Sequence, residues 1–555
     1  MQDDTQDLTL AMKCAENGDI KKAKEICDGI LAELPKNLEA RHFQAYLFIL
    51  MGEFETAISK LLHIVGDCPN NPDIISTLAA AYIKGGDQKK GISFLRRILQ
   101  LKPDDVEALT DLATIHAEVG HLKAAIGYCT RALEVSPDHA RASQLNKALD
   151  EHLFKLHVDP INQFVNDDIG RGKPKVIVPL RLIGRIGHLI IEPFLLKCIY
   201  DPAEYDIIFV TPPRGLAISQ PVFDISLRDL FFVEDPHDPQ MAAYNQHGKS
   251  IGTYQLDDRT IVLESVADLM VQAVEKARDG QFSYRAVLTE AELAEGMALR
   301  SAMGIPVDAK IVTLYVRDSG FFPSLEGHGV RDSSIANYIP AIKHLVDKDY
   351  YVVRLGDNKM TPLPDLGQHV IDAPFHPAYT QLVEPYFVSQ SDFMIKTTSG
   401  PEALSLIFGI PSVYVNAMFT PIFLISKDDL AIFKSYYSHR YERNLSLREI
   451  AYDKEILFSC TSDSFVREQI ELHENTQEDI LNVTMEMTDR MDGTYNPTPS
   501  IDERFRKLCQ QINKDCSLDT SDRIYGQLEI YSFLPYLMKG QVSHEYYKSQ
   551  PELLS

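Results

Sequence analysis

No two of the eight cysteines stand in a Cys-x-x-Cys pair, which speaks against a zinc cluster or a dithiol redox centre. Cys14, Cys27, Cys68, Cys129, Cys198, Cys460, Cys509 and Cys516 are scattered, several at apolar positions of predicted helices, where a reduced core thiol is expected. No run approaches the roughly 18 consecutive apolar residues that a membrane-spanning helix requires. The opening residues, MQDDTQDLTLAMKC, lack the apolar core of a signal peptide, so a cytoplasmic setting is expected, with peripheral contact to an inner membrane left open. Positive charge is scarce: 55 Lys and Arg face 79 Asp and Glu, a formal net charge of −24. That balance argues against broad binding to nucleic acid or anionic lipid. A Gly-x-x-x-x-Gly-Lys-Ser/Thr loop is missing, which argues against an ATPase, and no Gly-x-Ser-x-Gly elbow marks a hydrolase. An Asp-x-Asp pair flanked by strands is also missing, which weighs against a metal-held nucleotide.

What is present is first a repeat. Gly18, Gly52, Gly86 and Gly120 stand 34 residues apart, as do Pro35, Pro69, Pro103 and Pro137, and Ala11, Ala45, Ala79 and Ala113. Ala23, Ala57 and Ala125 share a further phase, with Gly91 in the third slot. A 34-residue period of small residues, a turn glycine and a terminal proline resembles the tetratricopeptide repeat, a helix–turn–helix unit. Small residues let paired helices approach, glycine turns the chain, and proline ends the second helix. Four frames and a cap helix over 138–156 are expected, presenting a concave face suited to a peptide or partner protein. Rigidifying or dimerising the remainder is the plainer role for such a stack.

At 555 residues the chain is long enough for roughly three domains. The pattern divides it into repeats with a cap helix over 1–157, a polar linker over 158–174, an α/β domain over 175–303, a second α/β domain over 304–499, and a helical tail over 500–555. In the first α/β domain the strand Val176–Val178 is followed by Gly184, Arg185, Gly187 and His188, then by an apolar helix, Leu189–Ile199. Glycines at a first strand–helix junction suit a ligand close to the backbone. In the second, the strands Ile311–Val316 and Tyr351–Val353 deliver Arg317, Asp318, Arg354, Gly356 and Asp357 just past their ends. The chain's organising stretch is Ser391–Asn416: a strand, the turn Thr397-Thr398-Ser399-Gly400, a helix opened by Pro401 and Glu402, and a further strand. Parallel α/β sheets bind ligands where strand C-termini meet helix N-termini. There Thr398, Ser399 and Gly400 suit a phosphate and Glu402 a ribose hydroxyl.

Arg317, Arg331 and Arg354 fall on that same expected edge. A planar guanidinium grips a diphosphate through paired hydrogen bonds, and the competing reading for each is an ion pair with Asp318, Asp332 or Asp357. His188 is a candidate base, with Asp318 in competition and His328 a minor candidate.

The segments YVRDSG (Tyr315–Gly320), VRDSSIANYIPAI (Val330–Ile342), YYVVRLGD (Tyr350–Asp357), VID (Val370–Asp372) and TTSGPEALSLIFGIPSVYVN (Thr397–Asn416) resemble a family of bacterial glycosyltransferases, with RIGHL (Arg185–Leu189) similar to its first glycine loop. The resemblance implies a GT-B arrangement, two Rossmann-like halves with the nucleotide-sugar mainly on the second. Taken together, the expected class is α plus α/β: a repeat solenoid followed by two such domains. The expected activity is metal-independent glycosyl transfer without a further cofactor. Donor-side residues would be Arg317, Arg331, Arg354, Asp357, Thr398, Ser399, Gly400 and Glu402; Gly184 and Gly187 would face the acceptor, and His188 or Asp318 would handle the proton. A protein or glycan acceptor would be held by the repeats. A scaffold that has lost catalysis and a nucleotide-sugar epimerase are the alternatives.

Overall fold

The computed structural model describes residues 2–165, 168–235, 252–278, 281–318, 329–420, 424–457, 461–517, 524–525, 528–529 and 538–554. The chain divides into two compact units, Met1–Leu156 and His157–Ser555.

The first unit is a helical repeat array. Its helices are α1 (Gln2–Glu16), α2 (Ile20–Glu33), α3 (Leu38–Leu50), α4 (Phe54–Asp67), α5 (Pro72–Lys84), α6 (Gln88–Leu101), α7 (Val106–Glu118), α8 (Leu122–Val135) and α9 (Ala140–Leu153). The repeat-phased residues do what their chemistry allows. Gly18, Gly52, Gly86 and Gly120 all take positive φ, between +74° and +89°, in the turns inside each pair. Ala11, Ala45, Ala79 and Ala113 are completely buried, as are Ala23, Ala57 and Ala125. Side-chain oxygens of Asp19, Asn37, Asn71, Asp87 and Asp105 cap the next helix in turn.

The second unit holds two largely parallel sheets. Residues expected as a linker include a short helix, α10 (Asp159–Phe164), whose Asn162 accepts a hydrogen bond from Arg259. The first sheet comprises β1 (Lys175–Pro179), β2 (Asp206–Thr211), β3 (Phe231–Glu234), β4 (Gly252–Gln255) and β5 (Arg259–Leu263), in the order β3-β2-β1-β5-β4. Only β4 runs antiparallel, against β5. Its helices are α11 (Ile186–Ile199), α12 (Gln220–Ser226) and α13 (Val266–Lys276). Then α14 (Glu290–Ala302) leads into the second sheet.

That sheet contains β6 (Lys310–Tyr315), β7 (Tyr350–Leu355), β8 (Val370–Asp372), β9 (Phe393–Lys396), β10 (Ser412–Ala417) and β11 (Leu430–Phe433). Between them lie α15 (Ile339–Asp347), α16 (Val383–Ser389) and α17 (Ala403–Phe408). A small antiparallel sheet is formed by β12 (Ser435–Ser438), β13 (Arg443–Asn444) and β14 (Ile470–His473). The tail departs from the helical expectation. After the helix Pro499–Ser517 come an antiparallel pair, β15 (Ile524–Tyr525) and β16 (Leu528–Glu529), and then β17 (Gln541–Val542), which joins the large sheet parallel to β11. Residues 518–523, 526–527 and 530–537 of the tail, and residues 236–251, lie outside the described residues.

Strand order in the large sheet is β17-β11-β10-β9-β6-β7-β8. From β6 the chain moves outward through β7 and β8, then returns to β9 on the other side and continues outward. The order therefore reverses between β6 and β9, and in an open α/β sheet this is where a crevice forms outside the strand C-termini. One face of the large sheet packs on Tyr338, Ile342, Ile480 and Val483. The other face shares a continuous apolar core with the smaller sheet, including Val176, Leu189, Tyr315, Val353, Met394 and Leu404. A common core of this kind makes the two α/β halves a single packed body.

Candidate active site

The reversal point gathers much of the expected site. Tyr315 ends β6 fully buried, and Thr397, just past β9, donates its N–H to the Tyr315 carbonyl at 3.1 Å. The Thr397 hydroxyl accepts the Arg317 N–H at 3.1 Å, so the two strand exits are stitched together. The Tyr315 hydroxyl also lies beside Ser399. Arg317 Nε donates to Asp332 Oδ1 at 3.0 Å, which is the ion pair weighed for it from sequence. The Asp332 carbonyl accepts from Lys434 Nζ at 2.8 Å, bringing a buried lysine to the same corner. Asp318 Oδ2 accepts the Thr361 N–H at 2.7 Å and so ties β6 to the loop after β7. Residues 319–328, with His328, lie outside the described residues.

Arg354 is placed differently. It lies within β7, opposite Leu314 and Asp372, with no solvent exposure. Its Nη1 donates to Asp372 Oδ1 at 3.0 Å and Oδ2 at 3.3 Å. The partner is therefore Asp372, not Asp357, whose carboxylate instead caps the Lys359 N–H at 2.8 Å. Nε and Nη2 of Arg354 are buried and have no hydrogen-bond partner among the described residues. Thr398 Oγ1 and Glu402 Oε2 share that condition.

The turn after β9 opens as a 3-10 segment, Gly400–Glu402, before the short α17. Burial pushes the Glu402 carboxyl up to about 7, against the opposing pull of Lys396, the Ser399 N–H and Arg331. Arg331 and Glu402 thus belong to one electrostatic neighbourhood. Beneath the turn, Lys396 at the end of β9 is buried; its Nζ donates to the Glu402 carbonyl at 3.2 Å and sits 4.1 Å from the Tyr414 ring centre. Asp429 lies nearby, accepting the Ser412 N–H at 2.7 Å and the Ser426 N–H at 2.6 Å. Burial raises its carboxyl to about 6. These groups line a small pocket of about 30 Å³ with Arg285 and Ser405.

Gly400 has a further neighbour. A Cβ there would stand 2.8 Å from the Gly187 nitrogen and 2.9 Å from Ile186 Cγ2. Gly187 and His188 are not in a loop, as their glycine-rich context suggested, but in the first turn of α11. Glycine at 187 and 400 is used by a backbone-to-backbone approach between the halves. Gly184 stands apart, with the Leu216 carbonyl 3.9 Å from where its Cβ would be. His188, next to the contact, has its Nδ1 2.7 Å from Glu192 Oε1, and both side chains are partly exposed. A further link between the halves is Gln381, whose Oε1 accepts the Gln220 N–H at 3.2 Å and whose Nε2 donates to the Ile218 carbonyl at 3.3 Å.

Several members were missed from sequence. Glu192 had a usable signal, the four-residue spacing from His188, hidden because the helix was started at Leu189. Lys396 carried none, since a charge closing an apolar run reads only as a strand end. Asn416 was read only as the end of a strand. In the structure it takes φ +53° and exchanges hydrogen bonds with Asn475, its N–H donating to Asn475 Oδ1 at 2.7 Å and its Oδ1 accepting the Asn475 N–H at 2.6 Å. Among the described residues no group of three or more His, Cys, Asp or Glu is arranged to hold a metal ion.

No family model and no curated protein matches the chain. Among solved structures, MamA (41-end) from Desulfovibrio magneticus RS-1 is 18% identical with a TM-score of 0.23, over 25% of this chain and 77% of that one. TTC0263, a thermophilic TPR protein of Thermus thermophilus, is 17% identical with a TM-score of 0.25, over 29% and 88%. A tetratricopeptide repeat protein from Parabacteroides merdae ATCC 43184 is 16% identical with a TM-score of 0.24, over 28% and 67%. At these scores the assignment of the array rests on its own helix pairs and their 34-residue step.

Proposed function

We propose that the His157–Ser555 unit is a metal-independent glycosyltransferase of GT-B type, taking a nucleotide-sugar donor, and that the repeat array recruits a protein or glycan acceptor. The observation that carries this reading is the set of buried polar atoms beside the reversal point that have no partner among the described residues: Arg354 Nε and Nη2, Thr398 Oγ1 and Glu402 Oε2. Buried polar groups in folded proteins are normally satisfied, so such a set calls for a polar ligand. Two of these atoms are guanidinium donors, suited to phosphate oxygens. A hydroxyl can donate or accept, and a carboxyl oxygen suits a sugar hydroxyl. In this reading Arg317 and Arg331 add positive charge as the nucleoside diphosphate leaves, and Ser399 and Gly400 shape the turn that receives it. His188, oriented by Glu192, takes the acceptor proton, while Asp318 holds the β7 exit loop.

Calorimetry and thermal shift with UDP-, GDP-, CMP- and dTDP-sugars, with and without EDTA, test the reading. Binding of one nucleotide class that survives EDTA and is lost in Arg354→Lys supports it; Thr398→Val serves where the arginine variant does not fold. Silence across the panel from folded protein overturns it.

A non-catalytic interaction scaffold is the second reading, and one observation favours it. The Gly400 turn is filled on one side by the Gly187 backbone, which narrows the approach to Ser399. Under that reading the unpartnered atoms belong to a relic of a donor site, and the panel stays silent.

A further inference from the structure

Asp332 is held from both of its ends. Its carboxylate takes Arg317 Nε at 3.0 Å, just past β6, and its carbonyl takes Lys434 Nζ at 2.8 Å, just past β11. β9 and β10 lie between those two strands, so the exits stand roughly 14 Å apart, at three strand spacings. Two cations that start that far apart and end on one residue converge over the exits of β9 and β10. Thr397, which opens the turn after β9, is tied to the same corner through the Arg317 N–H. Lys434 is 5% exposed, and among the described residues its ammonium meets one acceptor and no carboxylate. A buried lysine normally has a counter-ion. The two acids in electrostatic reach are engaged elsewhere: Asp332 with Arg317, and Glu474 Oε2 with the Ser334 N–H at 3.0 Å and Asn337 Nδ2 at 3.1 Å. Next in the chain, Ser333 is 3% exposed. Its N–H donates to the Arg317 carbonyl at 2.8 Å, while its Oγ has no partner among the described residues. The Tyr338 hydroxyl beside it accepts from Asn416 Nδ2 at 3.2 Å.

We infer that Lys434, Ser333 and Arg317 form an oxyanion site, in which the ammonium and the guanidinium hold the charge and the Ser333 hydroxyl donates to an anion oxygen. Such an anion supplies the counter-ion that Lys434 lacks and the partner that Ser333 Oγ lacks. A phosphate group has the acceptor oxygens to meet a lysine point charge, an arginine and a hydroxyl at once. Burial pushes the lysine below its ordinary range against the pull of Glu474 and Asp332, and a bound anion offsets that cost. Lys434 and Ser333 played no part in the donor site as read from sequence. That the oxyanion is a phosphate of the leaving nucleoside diphosphate rests on the glycosyltransferase reading; free inorganic phosphate is the other source.

Calorimetry on the full chain with inorganic phosphate and pyrophosphate tests the site, at constant ionic strength and at concentrations well under those at which such salts stabilise proteins in general. Wild type is expected to bind pyrophosphate and Lys434→Met to lose that binding. Ser333→Ala is expected to weaken it about tenfold, as for one hydrogen bond to a charged group, and serves if the methionine variant does not fold. No binding of either anion to wild type overturns the inference, and so does full affinity in either variant. A lysine that only pins Asp332 lowers stability in Lys434→Met and leaves the anion bound. UDP and uridine separate the sources. Where the anion is a nucleotide phosphate, Lys434→Met weakens UDP and leaves uridine unaffected. Pyrophosphate that binds through Lys434 while UDP and the nucleotide-sugars stay silent upholds the site and removes the donor reading. UDP that binds equally to wild type and Lys434→Met keeps the donor reading and removes this site.

Discussion

Gly187 and Gly400 meet backbone to backbone: a Cβ on Gly187 would lie 2.8 Å from the Gly400 Cα. One glycine opens the helix after β1, the other the turn after β9, so the C-terminal edges of the two sheets converge on this contact. Neither atom met is the flexible end of a side chain. Gly187→Ala and Gly400→Ala should each cost roughly 1–3 kcal/mol by overpacking. Because either alanine forces the same contact apart, the double variant should cost less than the sum. Urea unfolding of the three variants checks this; strict additivity would show that the glycines do not share one contact.

The Arg354–Asp372 pair is buried on the arginine side. Removing Asp372 as Asp372→Ala leaves that guanidinium uncompensated and should cost about 3–5 kcal/mol. Asp357→Ala, on the exit turn, should cost much less. Equal losses in chemical denaturation would contradict the assignment of Asp372 as the partner.

Stability should depend on pH through buried acids. Glu384 and Glu402 are raised to about 7 and Asp429 to about 6, each mainly by burial. A raised acid binds its proton more tightly folded than unfolded. Its contribution is full below the ordinary carboxyl range, near 4.5 for Glu, and is lost as pH rises to about 7. Wild type should therefore gain stability relative to Glu384→Gln on going from pH 8 to pH 5, by roughly 3 kcal/mol at most. Thermal unfolding of both proteins across that range measures the gap, and a constant gap would contradict the prediction.

In the repeat array, Gly91 occupies the slot where other repeats carry alanine. A Cβ at Gly91 would stand 2.4 Å from Ile83 Cγ1, a branched position that cannot swing clear. Gly91→Ala should fail to yield the gain of about 1 kcal/mol that alanine brings to a helix interior, and should destabilise instead. In an Ile83→Ala background the same change should stabilise. Thermal unfolding of the four proteins decides it.

The repeat array was legible because each of its constraints is local. A turn inside a helix pair needs positive φ every 34 residues, and close helices need alanine at fixed phases, so the residues declare the geometry. The β/α alternation and most strand positions were legible for the same reason: apolar runs, glycines and prolines act over a few neighbours. The first turn of α11 was misplaced because Gly187 and His188 read locally as loop residues, and only packing against the Gly400 turn supplies the reason for glycine there.

Pairings across the sheet depended on the tertiary structure. Strand order placed Arg354 opposite Asp372 and brought Tyr315 beside Ser399 and Arg317 to Asp332. These partners are separated by up to 84 residues, and an arginine's sequence neighbours say little about which carboxylate lies across the sheet from it. The sequence by itself determined the 34-residue solenoid and the presence of a following α/β region. The folded chain decided which polar groups are buried together, because burial and charge pairing depend on strand order and on the two sheets sharing one core.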